Sequence, residues 1–122
     1  MNIIVIGATS GIGRAVAEIY MSRGHRVGIT GRRANLLEEI AGCHQDCEVF
    51  VKPFDVSADT ASDSLAELVE DMGGVDICLY SSGYGHTNTS LEPSLELGQV
   101  DVNAKGFVRC AVWLFNYWAV NG

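Results

Sequence analysis

Residues 3 to 13 read Ile-Ile-Val-Ile-Gly-Ala-Thr-Ser-Gly-Ile-Gly, an apolar run without alternation that passes straight into three closely spaced glycines. A strand with no polar alternation is one covered on both faces, the usual condition in a parallel sheet. Residues 14 to 20 then read as a helix, so the chain opens on strand, tight turn and helix. Glycines at the carboxyl end of such a strand admit an anion that side chains would block. The helix aims its unpaired amides and positive dipole end at the same place. The unit reads as a pyrophosphate cradle, with Gly7, Thr9, Ser10, Gly11, Ile12 and Gly13 as its contact residues. A strand-to-helix turn without ligand is the competing reading.

The 122 residues are read as one domain, residues 1–122, with 48% hydrophobic residues to supply its core. Strand-like and helix-like segments alternate as successive βαβ units. A first helix over residues 12 to 23 places Ile12, Val16, Ile19 and Tyr20 on one face, and residues 26 to 30 form a second strand. Asn35 and Glu38 resemble a capping box that opens a short helix through Ile40, with Gly42 as its stop. The third strand runs from Glu48 to Phe54. A helix follows from Ser57, carries Leu65, Leu68, Val69 and Met72 on one face, and ends at Gly73-Gly74. Val75 to Tyr80 is a fourth strand, and residues 94 to 120 read as helical with a bend near Asn103. Right-handed crossovers give a parallel sheet in the order 3-2-1-4, helices on both faces, and a ligand crevice at the carboxyl ends of strands 1 and 4.

A dinucleotide fold tells an adenosine 2′-hydroxyl from a 2′-phosphate just after its second strand, with a carboxylate or with arginines. Gly31-Arg32-Arg33 stands at that place. Guanidinium groups offer charge-assisted bonds to phosphate, which favours NADP over NAD; a solvated arginine pair is the competing reading. The chain carries a net charge of −7, yet five of its eight basic residues (Arg14, Arg23, Arg26, Arg32, Arg33) precede residue 34, where Glu18 is the only acid. That places positive charge around the anion site. The acidic remainder, without aromatic residues between the basic ones, argues against nucleic acid.

Met1-Asn2 offers no basic leader region, so Cys43, Cys47, Cys78 and Cys110 are expected to be reduced thiols of a cytoplasmic protein. The stretch Cys43-His44-Gln45-Asp46-Cys47 lacks a second ligand pair at zinc-site spacing, and no metal is expected. Asn116 interrupts the longest apolar stretch short of the about 18 residues that span a bilayer, so no membrane is expected.

The spacing Gly7-x-x-x-Gly11-x-Gly13 resembles the T-G-x-x-x-G-[small or Ile]-G pattern of the short-chain dehydrogenase/reductase family, with Ile6 in place of the Thr. The resemblance covers essentially the whole chain. It implies a Rossmann-type α/β fold and an NADP-dependent oxidoreductase that moves hydride between the nicotinamide and a carbonyl or hydroxyl carbon of a small molecule. Asp55-Val56 matches the family pair whose carboxylate meets the adenine amino group, with a helix cap as the competing reading. Tyr80-Ser81-Ser82-Gly83 stands where the family has Asn-Asn-Ala-Gly. Only Gly83 is retained, so Ser81, Ser82 and Gly83 are carried over as backbone contacts. Asn103 aligns with the helix asparagine that holds a water and a lysine in the family's proton relay, and is the one catalytic candidate. His86 stays unassigned.

The family's catalytic Ser and Tyr-x-x-x-Lys have no counterpart, since Asn121 stands four residues after Tyr117 and no lysine follows Lys105. The sequence therefore resembles the cofactor-binding half of such an enzyme, ended before a fifth strand and expected to hold NADP(H) without turnover. A non-catalytic nucleotide-binding or interaction module is the alternative. The G-x-x-G-x-x-G pattern of sugar-nucleotide epimerases is not met by Gly7, Ser10 and Gly13. Residues 107 to 120 are too apolar for a helix with one buried face. In the family the corresponding helix builds the dimer interface, so a homo-oligomer through it is expected.

Overall fold

The computed structural model describes residues 1–9, 11–81 and 104–121. Strand β1 (Asn2–Ile6) leads into helix α1 (Gly11–Ser22), β2 (Arg26–Gly31), α2 (Ala34–Cys43), β3 (Val49–Pro53), α3 (Ala61–Met72), β4 (Ile77–Tyr80) and α4 (Gly106–Asn121). The sheet is parallel in the expected order β3-β2-β1-β4. In register, Ile3 lies beside Val27 on one side and Ile77 on the other.

The unalternated run of β1 is explained by its two covers. Ile3 and Val5 join Ala17, Met21, Leu37 and Ile40 under α1 and α2. Ile4 and Ile6 face the other way, onto Leu65, Leu68 and Met72 of α3 and Cys110 and Leu114 of α4. The apolar face read for α3 is buried as expected, and Gly73 ends that helix in the left-handed conformation, φ 81°.

Several expected details are corrected. Helix α1 buries Gly13, Ala17 and Met21, whereas Ile12 and Ile19 are exposed. Small residues let the helix axis approach the sheet, and the branched side chains are turned outward. No capping box opens α2: Arg33 is its N-cap without a side-chain cap bond, Asn35 lies inside the helix, and the helix runs past Gly42 to end against His44. Residues 57–60 form a turn, so α3 starts at Ala61 and not at Ser57. Residues 94–103 lie outside the described residues. Ala104 and Lys105 form a wider π-type turn leading into α4.

Candidate functional site

The site is built where β1 and β2 end side by side. The Thr30 carbonyl closes β2 by accepting the amides of Gly7 (3.1 Å) and Ala8 (2.9 Å), which fixes the glycine turn over the strand end. Gly11 has φ 62°, a conformation that L side chains rarely adopt, and nothing lies within 4 Å of where its Cβ would stand. Its outward side is open to an incoming group. Gly13 serves a different need: a Cβ there would lie 2.1 Å from the Gly7 carbonyl oxygen, so only glycine lets α1 start against the turn. The first turn of α1 holds no acidic side chain, which leaves the positive end of its dipole uncompensated. Exposed Ile12 sits on that same first turn. Ser10 lies outside the described residues.

Across the mouth, Arg33 reaches back and its Nη2 donates to Thr9 Oγ1 at 3.0 Å. Arg32 is exposed beside it. Partial burial by itself would raise the Asp55 carboxyl; hydrogen bonds from the Ser57 hydroxyl and amide, with the charge of Arg32, outweigh it and hold the group below its ordinary value. Asp55 Oδ1 accepts from Ser57 N at 2.9 Å and from Ser57 Oγ at 2.7 Å, so this oxygen shapes the turn after β3. Arg109 of α4 steadies the turn from the far side by donating to the Ser57 carbonyl at 2.9 Å. The Ser81 amide donates to the Ile6 carbonyl at 2.7 Å, which brings the end of β4 to the same edge.

Gly7, Thr9, Arg32, Arg33, Val56 and Ser81 line one cleft of about 120 Å³, joined there by Thr30 and Phe54. Gly13 packs against Gly7 and Ser81 of the lining, Gly11 and Ile12 lie on the same first turn of α1 but not among the lining residues, and Asp55 supports the turn behind the cleft. Ser82, Gly83, His86 and Asn103 lie outside the described residues. Thr30 was missed by sequence reasoning. Its side chain is fully buried, and among the described residues its Oγ1 has no hydrogen-bond partner, a state that costs about 1–3 kcal/mol. The available signal was a threonine closing an otherwise apolar strand.

The expected concentration of positive charge is also narrower than the sequence implied. Arg26 begins β2, roughly 16 Å from its far end at 3.3 Å per residue, and there binds Glu48 at 2.5 Å and the Met72 carbonyl at 2.6 Å. Arg14 is paired with Glu18 at 2.9 Å. Of the five early arginines, Arg32 and Arg33 line the cleft. A larger hollow, about 590 Å³, opens at the opposite end of the sheet beside Asn2, Gly74 and Tyr117. Asn2 Nδ2 there already donates to the carbonyls of Met72 and Gly74, and the glycines that line it, Gly73 and Gly74, close the C-terminus of α3, the negative end of that helix's dipole.

The model of the short chain dehydrogenase family matches residues 1–122. An uncharacterized oxidoreductase of Staphylococcus saprophyticus is 34% identical over 109 residues, which are 84% of this chain and 47% of that protein. Another, from Staphylococcus aureus, is 31% identical over 111 residues, 88% of this chain and 48% of its own length. Among solved structures, an actinorhodin polyketide ketoreductase with NADPH is similar at TM-score 0.83 and 27% identity, covering 92% of this chain and 45% of that one. An alcohol dehydrogenase of the archaeon Thermococcus sibiricus, complexed with 5-hydroxy-NADP, is similar at TM-score 0.83 and 26% identity, covering 94% and 52%. The chain spans about half the length of the curated relatives it matches.

Proposed function

We propose that this chain, which belongs to the short-chain dehydrogenase family, is the NADP(H)-holding part of an oxidoreductase acting on a small carbonyl or hydroxyl substrate. The observation that carries the reading is the arginine pair at the cleft, with Arg33 tied to Thr9 of the glycine turn and no carboxylate in the place of either arginine. A 2′-phosphate there would meet two guanidinium groups, whereas a carboxylate at the same place would repel it. The open side of Gly11 and the unpaired amides of α1 fit the pyrophosphate. Val56 and Phe54 offer apolar contact to an adenine. When bound, the nicotinamide would give a hydride to a carbonyl carbon or take one from a hydroxyl-bearing carbon. Asn103 is assigned to water and proton handling by the family resemblance alone.

A non-catalytic nucleotide-binding module is the second reading, supported by the placement of two of the tyrosines, Tyr117 and Tyr20. Tyr117 lines the hollow at the opposite end of the sheet and stacks on Trp113 at 5.4 Å, away from the cleft. Tyr20 packs edge-on against His25, also at the far end. The two readings share the same cleft and differ in turnover. Among the described residues no helix is long and apolar enough to cross a membrane. Four free thiols support a reducing, cytoplasmic setting. Self-association through α4 belongs to the same reading.

The test is a calorimetric titration of the chain with NADPH and with NADH. NADPH is expected to bind more tightly, and Arg32→Ala to weaken NADPH alone by about 1.5–3 kcal/mol. Equal affinities for the two nucleotides would overturn the arginine assignment.

A further inference from the structure

Thr30 is the one polar side chain in the buried core of the described residues, and it sits under the edge of the cleft. Its neighbours on β2 set its direction. Val27 and Ile29 join the cluster beneath α1 and α2; a Cβ on Gly28 would meet Met72 and Leu68 of α3. By strand alternation Thr30 therefore faces the same side as Gly28, the side on which Ile6, Val56 and Phe54 form the cleft with it. Its backbone carbonyl is occupied twice, by Gly7 and Ala8. Its hydroxyl has no partner among the described residues. A buried hydroxyl kept without a partner, beside a cleft lined by two arginines, points to a ligand that completes it.

We propose that Thr30 is a nucleotide-binding residue whose hydroxyl takes its missing partner from the 2′ position of the adenosine ribose. The inference rests on the nucleotide reading above and deepens it. The end of β2 is where a dinucleotide fold meets the ribose. Thr30 is itself one of the residues that line the cleft, and its χ1 has three staggered wells among which Oγ1 can turn. A neutral hydroxyl donates or accepts, so it serves a 2′-hydroxyl and a 2′-phosphate alike. The division of labour follows: Arg32 and Arg33 choose between the two cofactors, and Thr30 tightens both.

The experiment measures nucleotide affinity and apo thermal stability together, on the full chain and its Thr30→Val, Thr30→Ser and Arg32→Ala variants. Thr30→Val keeps the shape and removes the hydroxyl. It is expected to melt no lower than wild type without nucleotide, because an orphaned polar group is gone, and to bind NADPH and NADH each about three- to tenfold more weakly. Thr30→Ser is expected to keep wild-type affinity, and Arg32→Ala to lose NADPH selectively. Unchanged affinity in Thr30→Val beside a weakened Arg32→Ala would overturn the Thr30 proposal and leave the arginine assignment standing. A lower melting point or failure to fold in Thr30→Val would show that the hydroxyl is satisfied in the free chain, and would overturn it too. So would a Thr30→Ser variant as weak as Thr30→Val, which would assign the effect to the methyl group. Wild-type chain that binds neither nucleotide would overturn both the cofactor reading and this one.

Discussion

The two faces of the sheet are finished to different degrees. Under α1 and α2, Ile3, Val5, Ala17, Val27, Ile29 and Leu37 are all fully buried. On the other face α3 is equally well seated, but toward β4 and α4 the packing loosens. Cys78, Tyr80, Trp113 and Trp118 are only partly covered, and an apolar hollow of about 240 Å³ opens between β4 and α4. Helix α4 turns Phe107, Val108, Val112, Phe115 and Val120 to the outside. A closed layer stabilises itself and can hold the glycine turn and arginines rigidly. A loose layer with exposed apolar surface gains stability by covering that surface with another body.

The largest test of that contrast is a matched truncation. Leu37→Ala, in the closed layer, is expected to cost about 3–5 kcal/mol, and Leu114→Ala, beside the hollow, about 2 kcal/mol. Equal losses in urea unfolding would mean that the two layers are equally well packed. Next in size is association: Phe115→Asp is expected to leave unfolding within about 0.5 kcal/mol of wild type and to shift the sedimenting species toward monomer. A wild-type chain that is already monomeric at micromolar concentration would refute the interface.

Thiol chemistry probes the same hollow more finely. Burial pushes the Cys78 thiol up to about 12, with Cys110 nearby adding to the shift, and burial pushes Cys110 up to about 11. The thiolate is the reactive form. Exposed Cys43 is therefore expected to be alkylated by iodoacetamide at pH 8 well before Cys78 and Cys110. Comparable rates would mean that the loose layer opens on the labelling timescale.

The smallest effect lies on the closed side. Glu18 is held below its ordinary value of 4.5 mainly by the hydrogen bond with His44 and then by that with Arg14, a link that ties α1 to the end of α2. A carboxylate depressed in the folded state adds stability above its unfolded value and loses it as pH falls through the folded one. Glu18→Gln should therefore lower stability at pH 6 by less than about 0.5 kcal/mol, because the pair is solvent-screened, with the difference vanishing in acid melts below the folded value. A difference that grows with acidity would contradict the assignment.

Strand order was legible, and so was the gathering of Gly7, Thr9, Arg32, Arg33, Val56 and Ser81 at the carboxyl edge of the sheet, because both depend on local pattern; the cleft itself lies mainly against the ends of β1 and β2 and the turn after β3, not between β1 and β4 as expected. An unalternated run means two covers, and a glycine turn after it means a strand end that meets a helix N-terminus. The errors have a common physical origin. The apolar face read for α1 followed residue size at helical spacing, yet close packing on the sheet selected Gly13, Ala17 and Met21 and turned Ile12 and Ile19 outward. The capping box at Asn35 and Glu38 was a local match displaced by Arg33, which starts the helix directly after β2. The charge asymmetry was real along the chain but not in space, since a parallel strand carries Arg26 and Arg32 to opposite ends of the sheet.

Local backbone demands and hydrophobic period are written into consecutive residues, and they suffice for the parallel sheet, the glycine turn and the family. Which polar groups find partners is a property of chain segments far apart in sequence. Arg33 meets Thr9 across 24 residues, Asp55 is committed to a turn that Arg109 braces from α4, and Thr30 is left with a buried hydroxyl that no neighbour in the described fold completes. Such pairings depend on distances of a few ångströms between elements that only packing brings together.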